Sequence, residues 1–155
     1  MFDITRWFAG RRRKPADAVD RAAALIERGR PDEALAALDA LLAGGLEGER
    51  RAFAYNKRGV ALIALCRRAE ADGAFADALD VEPRYAPALT NVGNVLLEDG
   101  DVEGAIARYR AAIAADEEYA VAYLNLGVAL KRAGRANEAV RCLRTAHRLE
   151  MRRRS

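Results

Sequence analysis

Few side chains in this 155-residue sequence could do covalent chemistry. The only serine is Ser155 and the only histidine is His147, so a nucleophile paired with an imidazole base is nearly excluded. Cys66 and Cys142 show no metal-ligand spacing and read as reduced thiols of a cytosolic protein. Glu98 and Asp99 could in principle act as acid and base, but without companion residues they read as a solvated helix end. The sequence therefore predicts no enzyme, no cofactor and no metal site. Its recurring polar chemistry is amide chemistry instead. Asn91 and Asn125 stand 34 residues apart, and each amide can donate and accept at once, the complement of a peptide bond. Asparagine is also a poor helix former, so its return in register needs a reason.

The elements that would position these amides follow from the same 34-residue offset. Gly59, Gly93 and Gly127 fall in register, as do Ala71, Ala105 and Ala139. Tyr55, Leu89 and Tyr123 form another column, followed by Leu62, Leu96 and Leu130, by Phe75, Tyr109 and Leu143, and by Ala78, Ala112 and Ala146. Each unit thus sets a bulky residue four places before a glycine, a leucine three places after it, and two alanines seven apart around a large apolar residue. Small residues let two helices cross closely, and a larger side chain there would overpack the crossing at about 1–3 kcal/mol. A fixed period of this length is the signature of stacked repeats.

This pattern closely resembles the tetratricopeptide repeat (TPR), specifically so over residues 52–85, 86–119 and 120–151. A degenerate unit precedes them, anchored on Gly29-Arg30-Pro31-Asp32-Glu33-Ala34, which parallels Gly134-Arg135-Ala136-Asn137-Glu138-Ala139. It puts Ala22 at the glycine column and Leu38 at the wedge, and Gly44 to Gly48 lengthens its exit loop. The resemblance implies an all-α, right-handed α-solenoid of four helix-turn-helix units, about eight helices in all, each pair touching only its neighbours. Pro83 should end its helix, whereas Glu117 and Met151 in the same column predict less sharply defined ends. Arg58, where the other units carry Val92 and Leu126, predicts a less deeply buried helix. Cys66 takes the turn position of Gly100 and Gly134.

Charge divides the chain into a segment 1–14, a solenoid 15–151 and a tail 152–155. The first segment carries five cations against Asp3, a net +4, and Arg152, Arg153 and Arg154 add +3, which leaves −4 on the solenoid. Ile4, Trp7 and Phe8 lie at helical spacing before Arg11, Arg12 and Arg13, an order opposite to that of a secretory signal. The segment reads as a cap on the first repeat, as an anchor for an anionic membrane surface, or as a ligand for the groove of this or another copy. A nucleic-acid partner is not expected, because no aromatic-interleaved basic surface is present. No further polar helix follows the last unit, so its outer face should be covered by a partner or by self-association, unless Arg141, Arg144 and Arg148 make it polar enough.

By the same resemblance, first-helix side chains line a concave groove. These are Phe53, Asn56, Lys57, Val60 and Ile63; then Thr90, Asn91, Asn94 and Leu97; then Val121, Leu124, Asn125, Val128, Lys131 and Arg132. Asparagine at the place of Asn91 and Asn125 often bonds a bound peptide backbone in this family. The groups that hold chaperone C-terminal carboxylates are mostly missing, since Asn56, Val60, Val121 and Asn125 stand in four of those places. The function implied is a cytoplasmic adaptor or scaffold that binds a peptide or protein. The alternative is a peripheral membrane assembly factor held by residues 1–14 at the inner face of a membrane.

Overall fold

The computed structural model describes residues 17–155, so the expectations for residues 1–14 lie outside it. The described residues form eight helices: α1 (Ala18–Glu27), α2 (Pro31–Ala43), α3 (Gly48–Ala64), α4 (Arg68–Val81), α5 (Ala86–Glu98), α6 (Val102–Ala115), α7 (Ala120–Arg132) and α8 (Ala136–Arg154). They pack as four hairpins, α1 with α2 through α7 with α8, and the first helix of each hairpin also packs on the hairpin before it. This is the all-α solenoid implied by the 34-residue columns.

The columns do what their residue types predict. At Gly93 an added Cβ would sit 2.6 Å from Cε1 of the fully buried Tyr109, and at Gly127 2.8 Å from Cδ2 of Leu143. At Gly59 it would strike the Phe75 ring. Only the absence of a side chain lets these wedges seat. In the degenerate unit Ala22 and Leu38 are buried together with Val19 and Ala54, so alanine serves as the small residue there.

Each turn inside a hairpin is built alike. The amide N–H of Arg30, Arg67, Asp101 and Arg135 donates back to the carbonyl of Leu25, Leu62, Leu96 and Leu130, at 2.8–2.9 Å. This helix ending requires a residue with positive φ just before the donor. Gly29, Gly100 and Gly134 supply it at φ 71°, 84° and 74°, but in the second unit the position is Cys66 at φ 58°. A Cβ in that conformation is strained by about 1 kcal/mol. Cys66 is exposed and its packing contributes little. Cys66→Gly is therefore expected to stabilise the protein by about 0.5–1 kcal/mol, read as a rise in urea midpoint at unchanged m-value. A lower midpoint would show that the thiol makes a contact that matters.

Three expectations need correcting. Glu117 does not loosen the end of α6: it stops at Ala115 as sharply as α4 stops at Val81 before Pro83. The reason is a turn that needs no proline. Tyr119 N–H donates to the carbonyl of Asp116, as Tyr85 does to Glu82, and the Asp116 carboxylate accepts from the Glu118 N–H at 2.9 Å. At Met151 no end occurs at all, since α8 runs on to Arg154 and residues 152–154 are helix rather than a separate tail. Arg58, finally, does not lift its helix. It reaches across the unit boundary to Asp39 at 2.6 Å, while Ala52, Ala54, Gly59, Ala61 and Leu62 stay buried.

Candidate functional site: the concave face of α3, α5 and α7

The first helices of the last three units place their amides in one row. Asn91 on α5 donates through Nδ2 to Oδ1 of Asn56 on α3 at 2.8 Å. Asn125 on α7 donates likewise to Oδ1 of Asn94 on α5, also at 2.8 Å. Asn94 Oδ1 accepts a further 2.8 Å bond from the Tyr109 hydroxyl, so the row is fastened to the core wedge of α6. Burial pushes the Tyr109 phenol up to about 12, and it stays a neutral donor across the physiological range. Each bond spends one amide hydrogen of Asn91 or Asn125, which leaves the second hydrogen and the carbonyl oxygen available for a backbone group.

Burial sorts the residues expected in the groove. Asn56 and Thr90 are closed off, and neither offers surface to a ligand. They share one column, 34 residues apart, and Asn56 is engaged by the bond it accepts from Asn91 of the following unit. Leu97 is also a core residue, packed with Ile106, Tyr109 and Leu130. The Thr90 hydroxyl is buried with no hydrogen-bond partner among the described residues. Asn91, Asn94, Asn125, Phe53, Lys57 and Val60 keep intermediate exposure, while Val121, Leu124, Val128 and Lys131 are exposed.

Beside the amides the face is apolar and acidic at one edge. Val60, Ile63, Phe75, Asn91, Asn94, Val95 and Glu98 line a pocket of about 120 Å³ between α3 and α5, room for one side chain of modest size. Phe53 is held between two cations, with Arg50 5.0 Å and Lys57 5.5 Å from its ring centre. On α7, Val121, Leu124 and Val128 make an apolar stripe at helical spacing. Among the described residues no cluster of His, Cys, Asp and Glu could hold a metal ion, and no helix is long and apolar enough to cross a membrane. His147 is exposed on α8 and Cys142 is half-buried, its thiol pushed up by desolvation. Neither joins a catalytic set.

The bonds within the amide row were not legible from the columns. The two pairs are separated by 35 and 31 residues, so neither matches the 34-residue period that reveals the repeat.

Comparison with known proteins bears on the fold. Residues 93–134 match a TPR repeat model and residues 120–150 match a tetratricopeptide repeat model. No curated protein matches significantly. Among solved structures, MamA is 23% identical at a TM-score of 0.69, over 90% of this chain and 82% of that one. YrrB, a TPR protein with an unusual peptide-binding site, is 19% identical at a TM-score of 0.62, over 84% and 66% of the two chains. The second TPR of Spaghetti (RPAP3), bound to the HSP90 peptide SRMEEVD, is 22% identical at a TM-score of 0.60, over 65% and 94%.

Proposed function

This chain is a tetratricopeptide-repeat protein, and we propose that it acts as a non-enzymatic adaptor whose concave face holds a peptide segment of another protein. The observation that carries this reading is the amide row. Asn91 and Asn125 are fixed in place by Asn56 and Asn94, yet each keeps one donor and one acceptor for a peptide backbone. Preorganised amides cost less ordering entropy on binding than free ones. The apolar pocket beside Asn91 and the Val121, Leu124 and Val128 stripe supply anchors, which favours a peptide with hydrophobic side chains over a carboxylate-ended one. Peptide binding by similar folds such as YrrB and RPAP3 supports the mode of use.

Panning a displayed random-peptide library against the protein supplies the probe. The selected peptide is expected to bind the Asn91→Ala, Asn125→Ala double variant at least tenfold more weakly, about 1.4 kcal/mol, while thermal melts show the variant folded. Unchanged affinity would remove the amide row from the site.

A further inference from the structure

Two cations flank the Phe53 ring on the concave face, and only one of them has a carboxylate. Arg50, 5.0 Å from the ring centre, pairs with Asp20 at 3.1 Å and also with Asp17. Lys57, 5.5 Å from the same centre, has no hydrogen bond or ion pair among the described residues. Asp20 fills the column of Lys57 in the first unit, two places before Ala22 as Lys57 is two before Gly59, but it is taken by Arg50. The one carboxylate lining the α3–α5 pocket, Glu98, is likewise answered, lying 3.6 Å from Arg68.

Lys57, Asn91 and Asn125 share one column, so they succeed one another across α3, α5 and α7. Lys57 thus extends the amide row by one unit. The pocket lined by Val60, Val95 and Asn91 lies between the first two of these helices. Packed helices stand about 10 Å apart, which an extended chain spans in about three residues. A backbone held by Asn91 with one side chain in the pocket therefore brings a residue about three places away over the Lys57 ammonium. The Phe53 ring restrains that ammonium through its π face and leaves its N–H donors to an acceptor. A half-buried amine with no carboxylate of its own is complementary to one supplied from outside.

Building on peptide binding at the amide row, we propose that this site recognises an acidic internal motif, in which an apolar side chain sits in the α3–α5 pocket and an aspartate or glutamate within about three residues of it pairs with Lys57. Lys57 is the specificity-determining residue, since the pocket alone accepts any apolar side chain of modest size. The same charge refuses basic segments, so the ligand class narrows to acidic, hydrophobic stretches of a partner protein.

A displayed random-peptide library panned in parallel against the full chain and its Lys57→Glu variant supplies the probes. Peptides selected on the unsubstituted chain are expected to carry Asp or Glu within about three residues of a Leu, Ile, Val or Met, and those selected on Lys57→Glu to carry Lys or Arg there. One acidic peptide, amidated at its C-terminus, is then titrated by fluorescence polarisation beside its Asn or Gln analogue. Lys57→Gln should weaken the acidic peptide about fivefold, the upper range for a half-exposed pair, and leave the analogue unchanged. Added salt should erode the difference. Lys131→Gln, a cation on α7 away from the pocket, should shift affinity less than about twofold. Selected peptides without the acidic residue, equal losses in Lys57→Gln and Lys131→Gln, or loss of binding on amidation overturns the proposal, the last in favour of a chain-end carboxylate. So does a lower melt of Lys57→Gln with parallel loss of both peptides, which would make Lys57 a structural residue. Dependence on Asn91 and Asn125 in those same peptides would leave the amide row standing. Peptides that need Lys57 but tolerate the Asn91→Ala, Asn125→Ala substitutions would sink the amide row, together with the spacing drawn from it, and a library that yields no binder overturns both.

Discussion

Tyr109→Ala should lower stability by about 3–5 kcal/mol, the range for removing a fully buried aromatic side chain. The ring is 0% exposed and lies against Gly93, Ile106 and the α7 residues Leu126 and Leu130. Collapse into the space is hindered because its neighbours are themselves held by the next unit. At this chain length such a loss lowers the melting temperature by about 10 °C or more. The substitution also reaches the binding face, since the hydroxyl bonds Asn94, which in turn accepts from Asn125. Tyr109→Phe separates the two roles. It keeps the wedge, costs about 1 kcal/mol for the lost bond, and should weaken peptide binding more than it lowers the melt. If Tyr109→Ala and Tyr109→Phe melt alike, the ring is not the wedge that the geometry describes.

Gly93→Val should cost about 3 kcal/mol, at the upper end for overpacking. Even the first added carbon lies 2.6 Å from the Tyr109 ring, and a buried ring with partners on every side has nowhere to turn. Gly73 provides the internal contrast. It lies within α4, with nothing within 4 Å of an added Cβ. Gly73→Ala should therefore stabilise by about 0.5–1 kcal/mol through helix propensity alone. Chemical denaturation of both variants checks the pair, and a stabilising Gly93 substitution would mean that the crossing relaxes freely.

The columns held most of the fold, because stacking identical units forces the same residue type into the same physical job each time. Gly59, Gly93 and Gly127 announced close crossings, and Phe75, Tyr109 and Leu143 announced wedges. The same logic misjudged helix ends wherever a different residue could do the same job. Asp116 terminates α6 without proline by bonding the backbone ahead of it, and nothing about Met151 stops α8. The groove was legible only in part. The family positions picked out Asn91 and Asn125, but the same list included Asn56 and Thr90, which are buried.

What the sequence by itself determined is the repeat, its four hairpins, the positions of the crossings and wedges, and the recurrence of asparagine on one face. These are local and periodic properties, set by residue size and spacing within one or two turns of helix. Only the tertiary structure decided which polar groups are spent and which remain. The Asn56–Asn91 and Asn94–Asn125 bonds join helices at separations that no period predicts. The exposure of Leu124, Val140 and Leu143, beside the burial of their in-register partners, depends on whether another helix packs above them, and that neighbour is not written in the residues themselves.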